Sequence, residues 1–119
     1  MAEYGLGEVE TRFASLIWDR EPVASGELAK ISEKELGWKK STTYTILKRL
    51  CEKGIFQNEK GIVTSRMSFQ EFQALQSEKF VEEKFKGSLP GFVAAFCSRK
   101  KLSRDEADRL RKIIEEEEE

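Results

Sequence analysis

Histidine is absent from the 119 residues. This removes His-based general acid–base catalysis, Ser-His and Cys-His nucleophiles, and imidazole metal sites. The two cysteines, Cys51 and Cys97, are too few for a structural zinc cluster or a disulfide framework. No apolar run approaches the ~18 residues that would span a membrane. The opening Met1-Ala2-Glu3-Tyr4-Gly5 lacks the basic-then-apolar order of a secretory signal. A dominant charge is missing as well: 21 basic residues face 22 acidic ones, a net charge of -1. Any contact with nucleic acid must therefore rest on local charge. These absences lead us to expect a reduced, cytoplasmic protein without membrane insertion, metal or cofactor, and not an enzyme.

What is present is an apolar fraction of 39%, with eight Phe and two Trp, beside 36% charged residues. That supports one modest core under an ionic surface. Leu6, Val9, Phe13, Leu16 and Ile17 recur at helical offsets. Glu21-Pro22-Val23-Ala24 interrupts them. Ser25 is the expected N-cap of a second helix carrying Leu28, Ile31 and Leu36, closed by Gly37. A third helix is expected over 41–53, closed by Gly54. Two β-prone runs, Ile55-Phe56-Gln57-Asn58 and Ile62-Val63-Thr64-Ser65, flank Glu59-Lys60-Gly61 and suggest a hairpin. Helix, helix, helix, hairpin is the order of a winged helix-turn-helix. The fold class expected is mainly α with a small β-hairpin.

The third helix has two unlike faces. Thr43, Ile46, Leu47 and Leu50 share the inward side. Ser41, Thr42, Tyr44, Thr45, Lys48 and Arg49 share the outward side. Hydroxyls and methyls there suit base edges, and cations suit phosphate. Residues 37–60 hold six cations, Lys39, Lys40, Lys48, Arg49, Lys53 and Lys60, against Glu52 and Glu59, a local charge of +4. The expected DNA-binding set is Lys39, Lys40, Ser41, Thr42, Tyr44, Thr45, Lys48, Arg49 and Lys60. The competing reading is an ordinary solvated face. Thr42-Thr43 at a helix start and an outward Tyr44 speak against it.

The second half has a different character. Ser68 is the expected cap of a helix reaching about Phe85. Its apolar residues spread round the cylinder. Leu89, Phe92, Val93, Phe96 and Cys97 form a clean helical face. Ser103-Arg104-Asp105-Glu106 is a capping box opening the last helix, with Ala107, Leu110, Ile113 and Ile114. Three short helices cannot bury so many rings alone, which points to a second copy related by a two-fold axis. The surface expected to carry that contact comprises Phe72, Phe80, Phe85, Leu89, Phe92, Val93, Phe96, Leu110, Ile113 and Ile114. The division expected is a winged-helix DNA-binding domain over 1–66 and a helical dimerisation region over 67–119. Cys51 and Cys97 read as small buried hydrophobes rather than redox switches. Trp18 and Trp38 read as packing residues. Glu115 to Glu119 reads as a frayed tail, because its carboxylates oppose the helix dipole.

Leu6-Gly7-Glu8-Val9-Glu10 with Leu16-Ile17-Trp18, the run from Trp38 to Gly54, and Gly87-Ser88-Leu89-Pro90-Gly91-Phe92-Val93-Ala94-Ala95-Phe96 together resemble the penicillinase repressor family (BlaI/MecI/CopY type). The resemblance implies a bacterial transcriptional repressor binding a palindromic double-stranded DNA operator as a homodimer. It implies that Thr42 and Thr45 lie on the base-reading face. In the β-lactam branch it implies a membrane metalloprotease sensor as a further partner, and a cleavage site at Ala95-Phe96. Plain helix packing is the competing reading of those two residues. The chain departs from the family in three places. Cys97 stands alone, without the Cys-x-Cys pairs of the copper-responsive branch. The wing lacks a Tyr-containing strand. Ala95 stands where part of the family has Asn. Two other readings remain open on the residues alone: a ligand-sensing regulator of the PadR or MarR sort, and a winged-helix module used for protein–protein contact without DNA binding.

Overall fold

A computed structural model describes residues 6–119. The signal-peptide reading of residues 1–5 lies outside the described residues. The elements run α1 (Glu8–Arg20), β1 (Val23–Ala24), α2 (Ser25–Leu36), α3 (Lys40–Glu52), β2 (Phe56–Glu59), β3 (Ile62–Ser65), α4 (Phe69–Lys84), α5 (Leu89–Arg99) and α6 (Arg104–Glu117). The described residues divide into two compact units, the first ending at Glu78 and the second starting at Lys79.

In the first unit, three helices pack on an antiparallel sheet of order β1-β3-β2. Lys60 and Gly61 form the two-residue turn of the β2–β3 hairpin, both at positive φ (52° and 84°), with Glu59 opposite Ile62. That geometry suits the right-handed strand twist and favours Gly at the second position. The sequence predicts the hairpin alone, but β1 adds a third strand, Val23 opposite Val63 and Ala24 opposite Ile62. Ser25 is not the N-cap of α2 but its first residue. Its N–H donates to the Gly61 carbonyl at 2.7 Å, and the cap position falls to Ala24 without a side-chain bond. Gly37 closes α2 in the left-handed conformation, φ 70°. Its N–H donates to Glu33 and that of Trp38 to Ser32. Only three residues then separate α2 from α3.

Phe13, Ile17, Leu28, Leu47, Leu50, Ile55, Phe56 and Val63 form the buried core. Trp18 closes one end of it. Its ring lies 5.0 Å from Phe56, 5.4 Å from Phe69 and 5.3 Å from Phe72, and its Nε1–H donates to the Met67 carbonyl at 3.0 Å. Glu21 ties the end of α1 to the end of β3, its Oε1 accepting from both the N–H and hydroxyl of Ser65 at 2.8 Å. Phe72, expected on the self-association surface, is only 3% exposed and belongs to this core. Trp18 needs an aromatic cover, and the first turn of α4 supplies it. The first unit accordingly continues past the boundary expected at 66.

Ser32 and Thr43 are fully buried, and neither hydroxyl finds a partner among the described residues. An unpaired buried hydroxyl is costly, whereas an apolar group of similar shape is not. Thr43→Val and Ser32→Ala should therefore leave stability unchanged or raise it by about 1 kcal/mol. Urea unfolding midpoints measure this.

In the second unit, Ser88 caps α5, its hydroxyl accepting from the Gly91 N–H at 2.9 Å. Ser103 and Glu106 close the expected capping box on α6. The rings of Phe80, Phe85 and Phe92 meet with centroids 5.3 to 5.9 Å apart. The tail differs from expectation: α6 stays helical through Glu117 and ends at Glu118.

Candidate nucleic-acid interface

The surface of α3 is decided by its period. Thr43, Leu47 and Leu50 turn inward and are buried. Ser41, Thr42, Thr45, Lys48 and Arg49 are exposed, and Tyr44 is half-buried. Lys39 is the N-cap and offers no side-chain bond to the helix. No acidic residue stands in the first turn. The helix start therefore presents unpaired N–H groups beside Lys39 and Lys40, an arrangement that attracts phosphate.

Individual side chains have distinct settings. Lys40 Nζ lies 5.9 Å from the centre of the Tyr44 ring, within cation–π range. Tyr44 thereby orients the ammonium at the head of the helix. Thr45 donates its hydroxyl hydrogen back to the Ser41 carbonyl at 2.9 Å. Toward solvent it therefore offers lone pairs and a methyl group. Such a group accepts from the exocyclic amine of adenine or cytosine, or packs on a thymine methyl. Lys48 borders a hollow of about 310 Å³ shared with Tyr44, Leu47, Cys51 and Asn58. Lys60 stands exposed on the hairpin turn of the wing.

Arg49 is set apart from the other cations. Its Nη1 lies 3.8 Å from Glu10 Oε2 on α1. Glu10 also accepts from the Gly7 N–H through Oε1 at 3.3 Å. Arg49 thus braces α3 against α1, and part of its charge is answered within the chain. The helical pattern of α3 alone gives no sign of Glu10. Cys51 is half-buried, and burial, with the negative charge of Glu52 adding, pushes its thiol above the usual range. A protonated thiol is a poor nucleophile.

The remaining expected residues lie in the second unit. Phe80, Leu89, Val93, Phe96, Leu110, Ile113 and Ile114 are all large, apolar and exposed. Phe85 and Phe92 are half-buried in the ring cluster of that unit. Ala95 and Phe96 lie inside α5, and the Ala95 carbonyl accepts from the Ser98 hydroxyl at 2.7 Å. Among the described residues no group of His, Cys, Asp and Glu could hold a metal ion. No described helix is long and apolar enough to cross a membrane.

A family model described as penicillinase repressor matches residues 6–116. Methicillin resistance regulatory protein MecI of Staphylococcus aureus is 24% identical over 119 residues, covering 93% of this chain and 94% of that protein. The penicillinase repressor of Bacillus licheniformis is 25% identical over 115 residues, covering 93% and 90%. MecI of Mammaliicoccus sciuri is 23% identical over 119 residues, covering 93% and 94%.

Proposed function

The chain belongs to the penicillinase repressor family, a family of transcriptional repressors, and from that premise we propose that it binds a palindromic operator as a homodimer, reading bases through α3. The observation that carries this reading is the polarity of α3. Its apolar side is buried, while its solvent side joins hydroxyls to Lys48, and its start carries Lys40 and no acidic residue. A protein–protein module would present an apolar outer face there.

The second unit supports self-association. Its seven exposed apolar side chains, 38 to 63% accessible, offer roughly 600 Å² per chain, near the ~800 Å² per partner of a standard interface. Selection from a pool of random duplexes tests the reading. Enriched sequences should be two-fold symmetric, with half-sites about one helical turn, ~34 Å, or a multiple of it apart. Enrichment of single, asymmetric sites would contradict it.

Two substitutions separate base reading from phosphate contact. Thr45→Val keeps shape and methyl but removes the acceptor, so it should relax preference at one base pair by about tenfold and leave non-specific affinity unchanged. Lys48→Ala should weaken binding to all sequences and flatten the salt dependence by about one phosphate per chain, about two for the dimer. Arg49→Ala should flatten it less, because Glu10 already answers part of its charge. Titrations on specific and scrambled duplexes over a salt series distinguish the three. The bond Ala95-Phe96 lies within helix, so a protease acting there needs α5 to unwind locally.

A further inference from the structure

Glu10 stands on α1 with one carboxylate oxygen bonded and the other bare. Oε1 accepts from the Gly7 N–H at 3.3 Å. Oε2 is buried and accepts no hydrogen bond among the described residues. The cation that answers it is Arg49 of α3. Its Nη1 lies 3.8 Å away, close enough for an ion pair and too far for a hydrogen bond. The side chains are 22% exposed for Glu10 and 53% for Arg49, so the anion is held by the protein while the cation faces solvent. Lys40 and Lys48 meet no carboxylate among the described residues. Arg49 therefore differs from them in already having an anion of its own.

Arg49 stands four residues after Thr45, so the two share one side of α3, and both are exposed. A guanidinium on that side suits phosphate by charge and by its planar fork of donors. Two anions then compete for it. A phosphate on the duplex stands in water and salt, where its pull is screened. Glu10 is partly sheltered, and its bare oxygen would be left buried and unpaired if Arg49 moved away. We propose that Glu10 withholds Arg49 from the phosphate backbone, and so sets the affinity for duplex DNA below what the cations of α3 would otherwise give. This rests on the reading of α3 as the DNA-contacting helix and adds an anion on a different helix as a determinant of affinity.

A brace and a restraint lead to opposite results. If Glu10 only fastened α1 to α3, its loss would lower stability and DNA affinity together. As a restraint, its loss frees a cation and raises affinity, whatever it does to stability. Glu10→Gln separates the two. The amide keeps the length of the side chain and an acceptor for the Gly7 N–H, but carries no charge.

Anisotropy titrations of the full chain on a labelled mixed-sequence duplex, over a salt series, read both affinity and slope. Near ~0.1 M salt, Glu10→Gln should bind about fivefold to tenfold more tightly, and its salt dependence should steepen by up to about one phosphate per chain. The gain should need Arg49: in a chain already carrying Arg49→Ala, Glu10→Gln should raise affinity by no more than about twofold. Glu8→Gln makes the same change of charge at an exposed acid of the same helix turn, and should also stay within about twofold. Affinity unchanged or lowered by Glu10→Gln would overturn the proposal. So would an equal gain without Arg49, or an equal gain from Glu8→Gln. An unaltered chain that binds no duplex even at low salt would overturn the DNA-binding reading itself, and the proposal with it. Thermal unfolding checks the fold of each variant. Should Glu10→Gln fail to fold, Glu10→Met, which keeps an unbranched stem without the charge, replaces it under the same criteria.

Discussion

Replacing Lys40 and Lys48 together by Glu should lower affinity for duplex DNA on the order of a hundredfold or more near ~0.1 M salt. Each lysine lies on the exposed side of α3 or at its start. Reversal does more than remove two phosphate contacts per chain; it sets carboxylates against the phosphate backbone. The fold should survive, because surface substitutions of this kind usually change stability by no more than about 0.5 kcal/mol. Lys40 also loses its place over Tyr44, a minor term at an exposed site. Gel shifts or anisotropy titrations give the affinity, and thermal unfolding gives the control. Undiminished binding by the doubly reversed chain would move the interface to another surface.

Trp18→Ala should cost about 3–5 kcal/mol of stability. The indole meets three phenylalanine rings and donates to the Met67 carbonyl. Its loss opens a cavity and leaves that carbonyl to find another donor. For a domain stabilised by about 5–15 kcal/mol, this removes a large share of the total. Trp18→Phe, which retains much of the ring but not the hydrogen bond, should cost less, about 1–2 kcal/mol. Equilibrium urea unfolding with both variants separates ring from hydrogen bond. Equal losses for the two would mean that the ring contacts contribute little.

Some features are legible in the sequence because local chemistry alone determines them. The faces of α3 follow from the 3.6-residue period, and Gly37 closes α2 by adopting a conformation that side chains disfavour. The Ser103–Glu106 capping box needs only four consecutive residues. Other features depend on partners remote in sequence. The two-residue strand β1 has no alternation of its own and exists because Val63 and Ile62 offer it an edge. Phe72 reads as surface because α4 is apolar on several sides; its burial depends on Trp18. The Glu10–Arg49 pair is hidden for the same reason, since nothing in α3 announces a carboxylate on α1. Ser25 carries a capping residue's chemistry, but its N–H is engaged by the wing.

The central claim is that two copies of α3, held by self-association, grip one duplex through phosphate and base edges. The salt dependence of binding, measured at known stoichiometry on a selected symmetric duplex, tests it most directly. Two chains should bind per duplex, and log affinity should fall linearly with log salt, with a slope near about -0.9 for each phosphate neutralised. Binding by a single chain, or affinity indifferent to salt, would contradict it.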